Sequence, residues 1–174
     1  IKKIKVGSGK IVLHFMNSNF KFEISNPIIE KRVRYSIFEN KVLNEFLYEH
    51  SRKPFKIIHT HGWLTSSAFM LKHLYNLPWV HTIHALERNR LKSMTEEEKQ
   101  LFRITSWIED TLSDADKLIC VSKSVQNEVI KYLENSANKT MVIPNAVDLK
   151  LFSPQEKKSR TVLTVSRFSK EKGS

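Results

Sequence analysis

Four histidines stand in two close pairs, His59-Thr60-His61 and His81-Thr82-Ile83-His84. An imidazole can donate, accept, carry a proton near neutral pH or ligate a metal. In an extended strand His59 and His61 fall on one face, and a His-x-His strand opens the site of many metal-dependent hydrolases. No Asp or Glu directly adjoins either pair, and a barrel hydrolase typically needs about 250 residues, so no metal is expected. Trp63 either stacks on a sugar ring or opens a helix over the core. The stretch from Glu87 to Met94 carries Arg88, Arg90 and Lys92 and reads as a long loop, either solvated or suited to capturing an anionic or hydroxylated substrate. Ser122-Lys123-Ser124 and Pro144-Asn145-Ala146-Val147-Asp148 add hydroxyls, an amide and charge. Cys120 lies in an apolar run and reads as an inert core residue. Scattered Ser, His and Asp residues assemble no triad. Gly7-Ser8-Gly9-Lys10 is no phosphate loop, because Ile4 occupies the first glycine position and Ile11 follows the lysine.

These groups need elements to hold them. The first segment reads as a hairpin over Ile4–Val6 and Ile11–Phe15, with a further short strand at Phe20–Ile24. After Pro27 the pattern turns helical, with Ile37, Val42, Leu43, Phe46 and Leu47 on one stripe. Short apolar strands are expected at 56–59, 79–83, 117–121, 140–143 and 161–165, alternating with helices near 64–75, from Thr95, and from Ser122 or Ser124. Thr95-Glu96-Glu97-Glu98 has the form of a capping box, and its three acids suit the positive end of a helix. Strands alternating with helices predict an α/β fold, a Rossmann-like, mostly parallel sheet with helices on both faces, preceded by an amino-terminal β-hairpin. Ligands of such sheets sit at the carboxyl ends of the strands. That rule singles out His61 and His84 as functional, and leaves His59 and His81 inside the sheet and hydrogen-bonded.

Composition narrows the function classes. The chain has 174 residues, 40% hydrophobic and 27% charged, with one cysteine. It can bury a core without disulfides, and multi-thiolate zinc sites are excluded. With only 4 glycines, below the average usage of roughly 7%, extended glycine-rich phosphate loops are not expected. The net charge of +11 is concentrated at the two ends, around a balanced stretch from 61 to 155. Such an excess attracts phosphates or is simply a solvated basic surface. No RNA-binding signature, arginine-rich helix or cysteine finger is present, so nucleic acid is not an expected partner.

Several segments together resemble a known family. Pro144-Asn145-Ala146-Val147-Asp148, followed by Phe152-Ser153-Pro154, is similar to the P-N-G-V-D…F-x-P segment of GT-B retaining glycosyltransferases. Thr161 to Gly173 resembles the strand and G-R-x-x-x-x-K-G loop that open their second domain. Ala115 to Ser122 looks like their A-D-x-V-I-x-x-S strand. His81 to Arg90 is similar to the T-x-H-x-L segment of the branch holding glycogen synthase, sucrose synthase and sucrose-phosphate synthase. The order and spacing over 56–173 make the resemblance specific. It implies retaining transfer of a hexose, glucose by expectation, from a nucleotide-diphosphate sugar to a sugar or glucan acceptor, without metal or other cofactor. Arg167 and Lys172 would hold the donor diphosphate, whose developing negative charge fixed cations stabilise. His84 would act in catalysis facing the donor sugar. His61, Trp63, Glu87, Arg88, Asn89 and Asn145 would line the acceptor side. Ser166 and Ala146 replace family glycines, and the family's amino-terminal glycine-rich loop has no counterpart.

The resemblance also sets the expected organisation. Residues 1–154 would form the amino-terminal acceptor-side domain, truncated at its start. Residues 155–174 would begin a carboxy-terminal donor domain that is otherwise missing, which makes the chain a fragment inactive alone. The cysteine count suits a cytoplasmic setting, and the basic amino-terminal segment would suit the inner membrane face if the acceptor is a lipid. Two other classes remain: a metal-dependent hydrolase using the His-x-His pairs, and a non-catalytic basic module binding nucleic acid or a membrane surface.

Overall fold

The computed structural model describes residues 2–6, 9–13, 25–62, 66–153 and 165; for the amino-terminal strands and for 27, 28, 31, 92, 101, 104 and 105 it describes the backbone alone. The chain divides into two compact units, 1–55 and 56–174.

The first unit contains an antiparallel pair, β1 (Lys2–Val6) and β2 (Gly9–Leu13), in which Val6 pairs with Gly9. This is the expected hairpin; the further strand at Phe20–Ile24 lies outside the described residues. Helix α1 (Pro27–Arg52) follows. It begins where local chemistry dictates: Asn26 Oδ1 accepts from the Ile29 amide at 3.2 Å, and Pro27 stands at the first helical position, where no N–H is needed. Arg34 pairs with Glu30 one turn earlier at 2.6 Å. At the far end Phe46, His50 and Phe55 pack ring against ring, and the Phe55 amide donates to His50 Nδ1 at 3.0 Å.

The second unit is built on a four-stranded parallel sheet in the order β3-β4-β5-β6, formed by Ile58–His61, Trp79–Ile83, Lys117–Cys120 and Thr140–Val142. Helices α2 (Ser66–Tyr75), α3 (Glu96–Asp110) and α4 (Lys123–Tyr132) connect the strands. Among the described residues there are also two 3-10 helices, Glu87–Ser93 and Thr111–Asp114. The α/β, Rossmann-like expectation holds: a parallel sheet flanked by helices. Strand order equals chain order; α2 packs on β3 and β4, and α4 on β5 and β6. Ile58, Trp79, His81, Ile83, Leu118 and Cys120 share one face of the sheet and are buried. His59, His61, Val80 and Thr82 alternate onto the other.

The helix ends follow their sequences. Thr95 Oγ1 accepts from the Glu98 amide at 3.2 Å while Glu98 Oε2 accepts from the Thr95 amide at 2.8 Å, completing the capping box. Of the two serines proposed to start α4, Ser122 does so, accepting from the Val125 amide at 3.2 Å. Helix α2 stops at Asn76, whose φ of 51° lies in the left-handed region, and the Leu77 amide reaches back to the Lys72 carbonyl at 3.2 Å.

The largest departures from expectation lie at β3 and after β4. The strand expected at 56–59 runs from 58 to 61, because Ile58 is the apolar residue that enters the core while Ile57 stays 54% exposed. The segment after Leu86, expected as a loop, is largely the 3-10 helix Glu87–Ser93. The expected last strand, 161–165, lies outside the described residues except for Val165, and the domain boundary at 154/155 falls where they end. No described helix is long and apolar enough to cross a membrane.

Candidate active site

The carboxyl ends of β3 and β4 lie side by side, with His61 opposite Thr82 in the register. One residue beyond each end the chain changes direction. After β3 it does so at Gly62, with φ of 63°. A Cβ there would meet nothing within 4 Å, so glycine is favoured for its backbone freedom and not for space. After β4 comes His84, exposed like His61.

The imidazoles form a short array. The rings of His59 and His61 stack with centroids 4.6 Å apart, and those of His61 and His84 with centroids 5.8 Å apart. His59 Nε2 is bonded to Thr82 Oγ1 at 2.9 Å. His59 is therefore on the open face beside the candidate residues. The expectation that it sits inside the sheet fails, because Ile58 is the residue that enters the core beside Trp79, and alternation then sends His59 to the opposite face. His81 is inside, as expected, 1% exposed. Its Nδ1 lies 2.7 Å from Thr60 Oγ1, which also accepts from the Trp79 indole N–H at 2.8 Å. The indole can only donate, so Thr60 accepts from it and still has its own proton to share with His81. Burial, reinforced by the neighbouring imidazoles, pushes His81 down to a pKa of about 3. Burial and the charges that His59 and His84 would carry also lower His61. Imidazole rings can donate and accept hydrogen bonds, which suits hydroxyl-rich ligands.

Glu87, Arg88 and Asn89 open the 3-10 helix, and their partners are protein groups. Arg88 Nε donates to Glu109 Oε2 at 2.7 Å and its Nη2 to Asp110 Oδ1 at 2.6 Å. The Glu87 amide donates to Glu109 Oε1 at 2.6 Å, and the Glu87 carboxylate pairs with Arg90 at 3.2 Å. Asn89 Nδ2 donates to Glu128 on α4. Asn145 is exposed on the segment after β6, two strands away from β4. The structure thus brings His61 and His84 together with His59 and ties the Glu87–Asn89 side chains to α3 and α4. Trp63, Arg167 and Lys172 lie outside the described residues. A groove of about 290 Å³, lined by Arg88, Leu91, Phe102, Ser106, Asp110 and Tyr132, includes none of the histidines.

Sequence reasoning missed the hydroxyl partners Thr60 and Thr82 and the carboxylate of Glu109. Alternation along β3 and β4 could have found the threonines once the register was known. Nothing local marks Glu109. Among the described residues no three His, Cys, Asp or Glu side chains are grouped to hold a metal ion. Cys120 is wholly buried and its thiol pKa is pushed up by that burial, in keeping with an inert core residue.

A parallel sheet with polar groups crowded at its carboxyl edge is the ligand-binding architecture of Rossmann-like domains. Residues 14–151 match the family described as Glycosyltransferase Family 4, and the chain belongs to that family. It is 29% identical over 124 residues to a glycogen synthase of Mycobacterium tuberculosis, covering 67% of this chain and 29% of that protein. It is 28% identical over 104 residues to a D-inositol 3-phosphate glycosyltransferase of Corynebacterium diphtheriae, covering 58% of this chain and 24% of that protein. An uncharacterized glycosyltransferase of Methanocaldococcus jannaschii is 26% identical over 95 residues, or 54% of this chain and 24% of that protein. The chain spans less than a third of the length of these relatives.

Proposed function

We propose that this chain is the acceptor-side part of a GT-B glycosyltransferase that moves a hexose, glucose in the first instance, from a nucleotide-diphosphate sugar to a sugar or glucan hydroxyl with retention. The observation that carries this is the row of imidazoles His59, His61 and His84 at the carboxyl edge of a parallel sheet in a member of Glycosyltransferase Family 4. Imidazoles can both donate and accept, which matches sugar hydroxyls. His84 faces the donor sugar in this reading, and His61 with Trp63 and Asn145 borders the acceptor. Arg167 and Lys172 neutralise the charge that grows on the departing diphosphate. No metal ion is required, because those cations serve the leaving group. The names of the relatives suggest two acceptors to try first, a glucan and D-inositol 3-phosphate.

In this reading residues 155–174 lead into a donor-binding domain, and 1–174 alone is inactive. The proposed setting is cytoplasmic, with the basic amino-terminal segment meeting anionic lipid if the acceptor is a lipid; salt-sensitive flotation with anionic liposomes tests that. The direct test is a donor and acceptor screen on the full-length protein. Turnover that falls at least 100-fold in His84→Ala, about 2.7 kcal/mol of transition-state stabilisation, is expected. Undiminished turnover in that variant would remove His84 from the mechanism.

A further inference from the structure

The segment that carries His84 has weak local support. It continues into a seven-residue 3-10 helix, a geometry with poor hydrogen bonds. The residue before that helix is Leu86, which offers no side-chain cap. Leu86 is 1% exposed and anchors the start of the helix by its burial. The missing cap comes from another element. Glu109, near the end of α3, places Oε1 2.6 Å from the Glu87 amide and Oε2 2.7 Å from Arg88 Nε. One carboxylate therefore holds both the first backbone N–H of the 3-10 helix and its first cation. The site is sheltered, with the Arg88 and Glu109 side chains 17% and 13% exposed, so these charge-assisted bonds are stronger than surface pairs. Asp110 takes the other arm of the guanidinium. The two acids together hold the Arg88 charge and raise its pKa against its burial. Tyr132 on α4 closes over the guanidinium at 5.5 Å, and Glu128 ties Asn89 from the same helix.

We propose that Glu109 is a positioning residue: it fixes the turn between β4 and the 3-10 helix, and thereby the placement of His84 in the crevice. This deepens the transferase reading and rests on it. A carboxamide in place of the carboxylate keeps the shape but offers one acceptor where two donors must be met, and its NH2 opposes Arg88.

The experiment compares Glu109→Gln with the full-length wild-type protein. Thr95→Ala serves as a control that loosens the start of the same helix without touching the clamp. Three quantities are read: the His84 ring resonances, assigned by their loss in His84→Ala; the exchange rate of the Glu87 amide; and kcat with KM for the donor sugar. In Glu109→Gln the His84 resonances are expected to shift, the Glu87 amide to exchange at least tenfold faster, and kcat to fall about tenfold with KM within twofold. Thr95→Ala should leave all three as in wild type. Unmoved His84 resonances, or an unchanged kcat where His84→Ala is inactive, would overturn the proposal while leaving the transferase reading intact. Full turnover in His84→Ala would sink the reading instead, and the resonance and exchange data would still decide whether Glu109 fixes the turn.

Discussion

Replacing His81 with asparagine should remove much of the acid sensitivity of the 56–174 unit. His81 is buried against Trp79 and Thr60, with its pKa lowered from 6.5 to about 3 by burial first and the neighbouring imidazoles second. In the unfolded chain the same ring takes up a proton near pH 6.5, so below that value the unfolded state binds more protons than the native state. Stability is then full above pH 6.5, falls as pH drops, and levels off below about pH 3. Each pH unit in that window costs about 1.4 kcal/mol, so about 3 kcal/mol is lost by pH 4.5. Asparagine keeps an acceptor where Nδ1 was but cannot titrate. At neutral pH the smaller side chain should cost about 1–3 kcal/mol of packing. The two stability profiles should therefore converge as pH falls and meet near pH 5. His61, whose pKa is lowered too, remains in both proteins and cancels in the difference. Urea unfolding followed by circular dichroism at half-unit steps from pH 7.5 to 4.5 measures this. Parallel profiles would show that His81 takes up protons equally in both states, and the argument from burial would be wrong.

Other outcomes follow from the same contacts. Thr60→Val strips the partner from both the Trp79 indole N–H and His81 Nδ1 and should destabilise by about 2 kcal/mol; a change under about 0.5 kcal/mol in urea unfolding would contradict the network. Thr95→Ala and Ser122→Ala each remove a helix cap and should each cost about 1 kcal/mol, additively, because the caps share no partner. Two unaltered melting temperatures would refute that assignment. In the full-length protein, turnover should survive excess chelator; activity lost to the chelator and restored by zinc would transfer the histidine array to metal chemistry.

Elements with local causes were legible in the residues. The Thr95–Glu98 box, the Ser122 cap, the stop at Asn76-Leu77-Pro78 and the apolar runs of β4, β5 and β6 each arise from groups within a few positions of one another. Alternation of such elements determined the parallel sheet, and the sheet directed attention to His61 and His84. What separated His59 from His81 was not local. Both sit in His-Thr dipeptides within short strands, and only the register of β3 against β4, set by Ile58 entering the core beside Trp79, sends one ring outward and the other in. The roles of Glu87, Arg88 and Asn89 were hidden for the same reason. Their charges and amide suit an acceptor pocket as well as an ion pair, and packing against Glu109 and Glu128, 22 and 39 residues further on, decides between them. A charged side chain reveals its type in the sequence, but its partner is chosen by which helices the sheet brings alongside it.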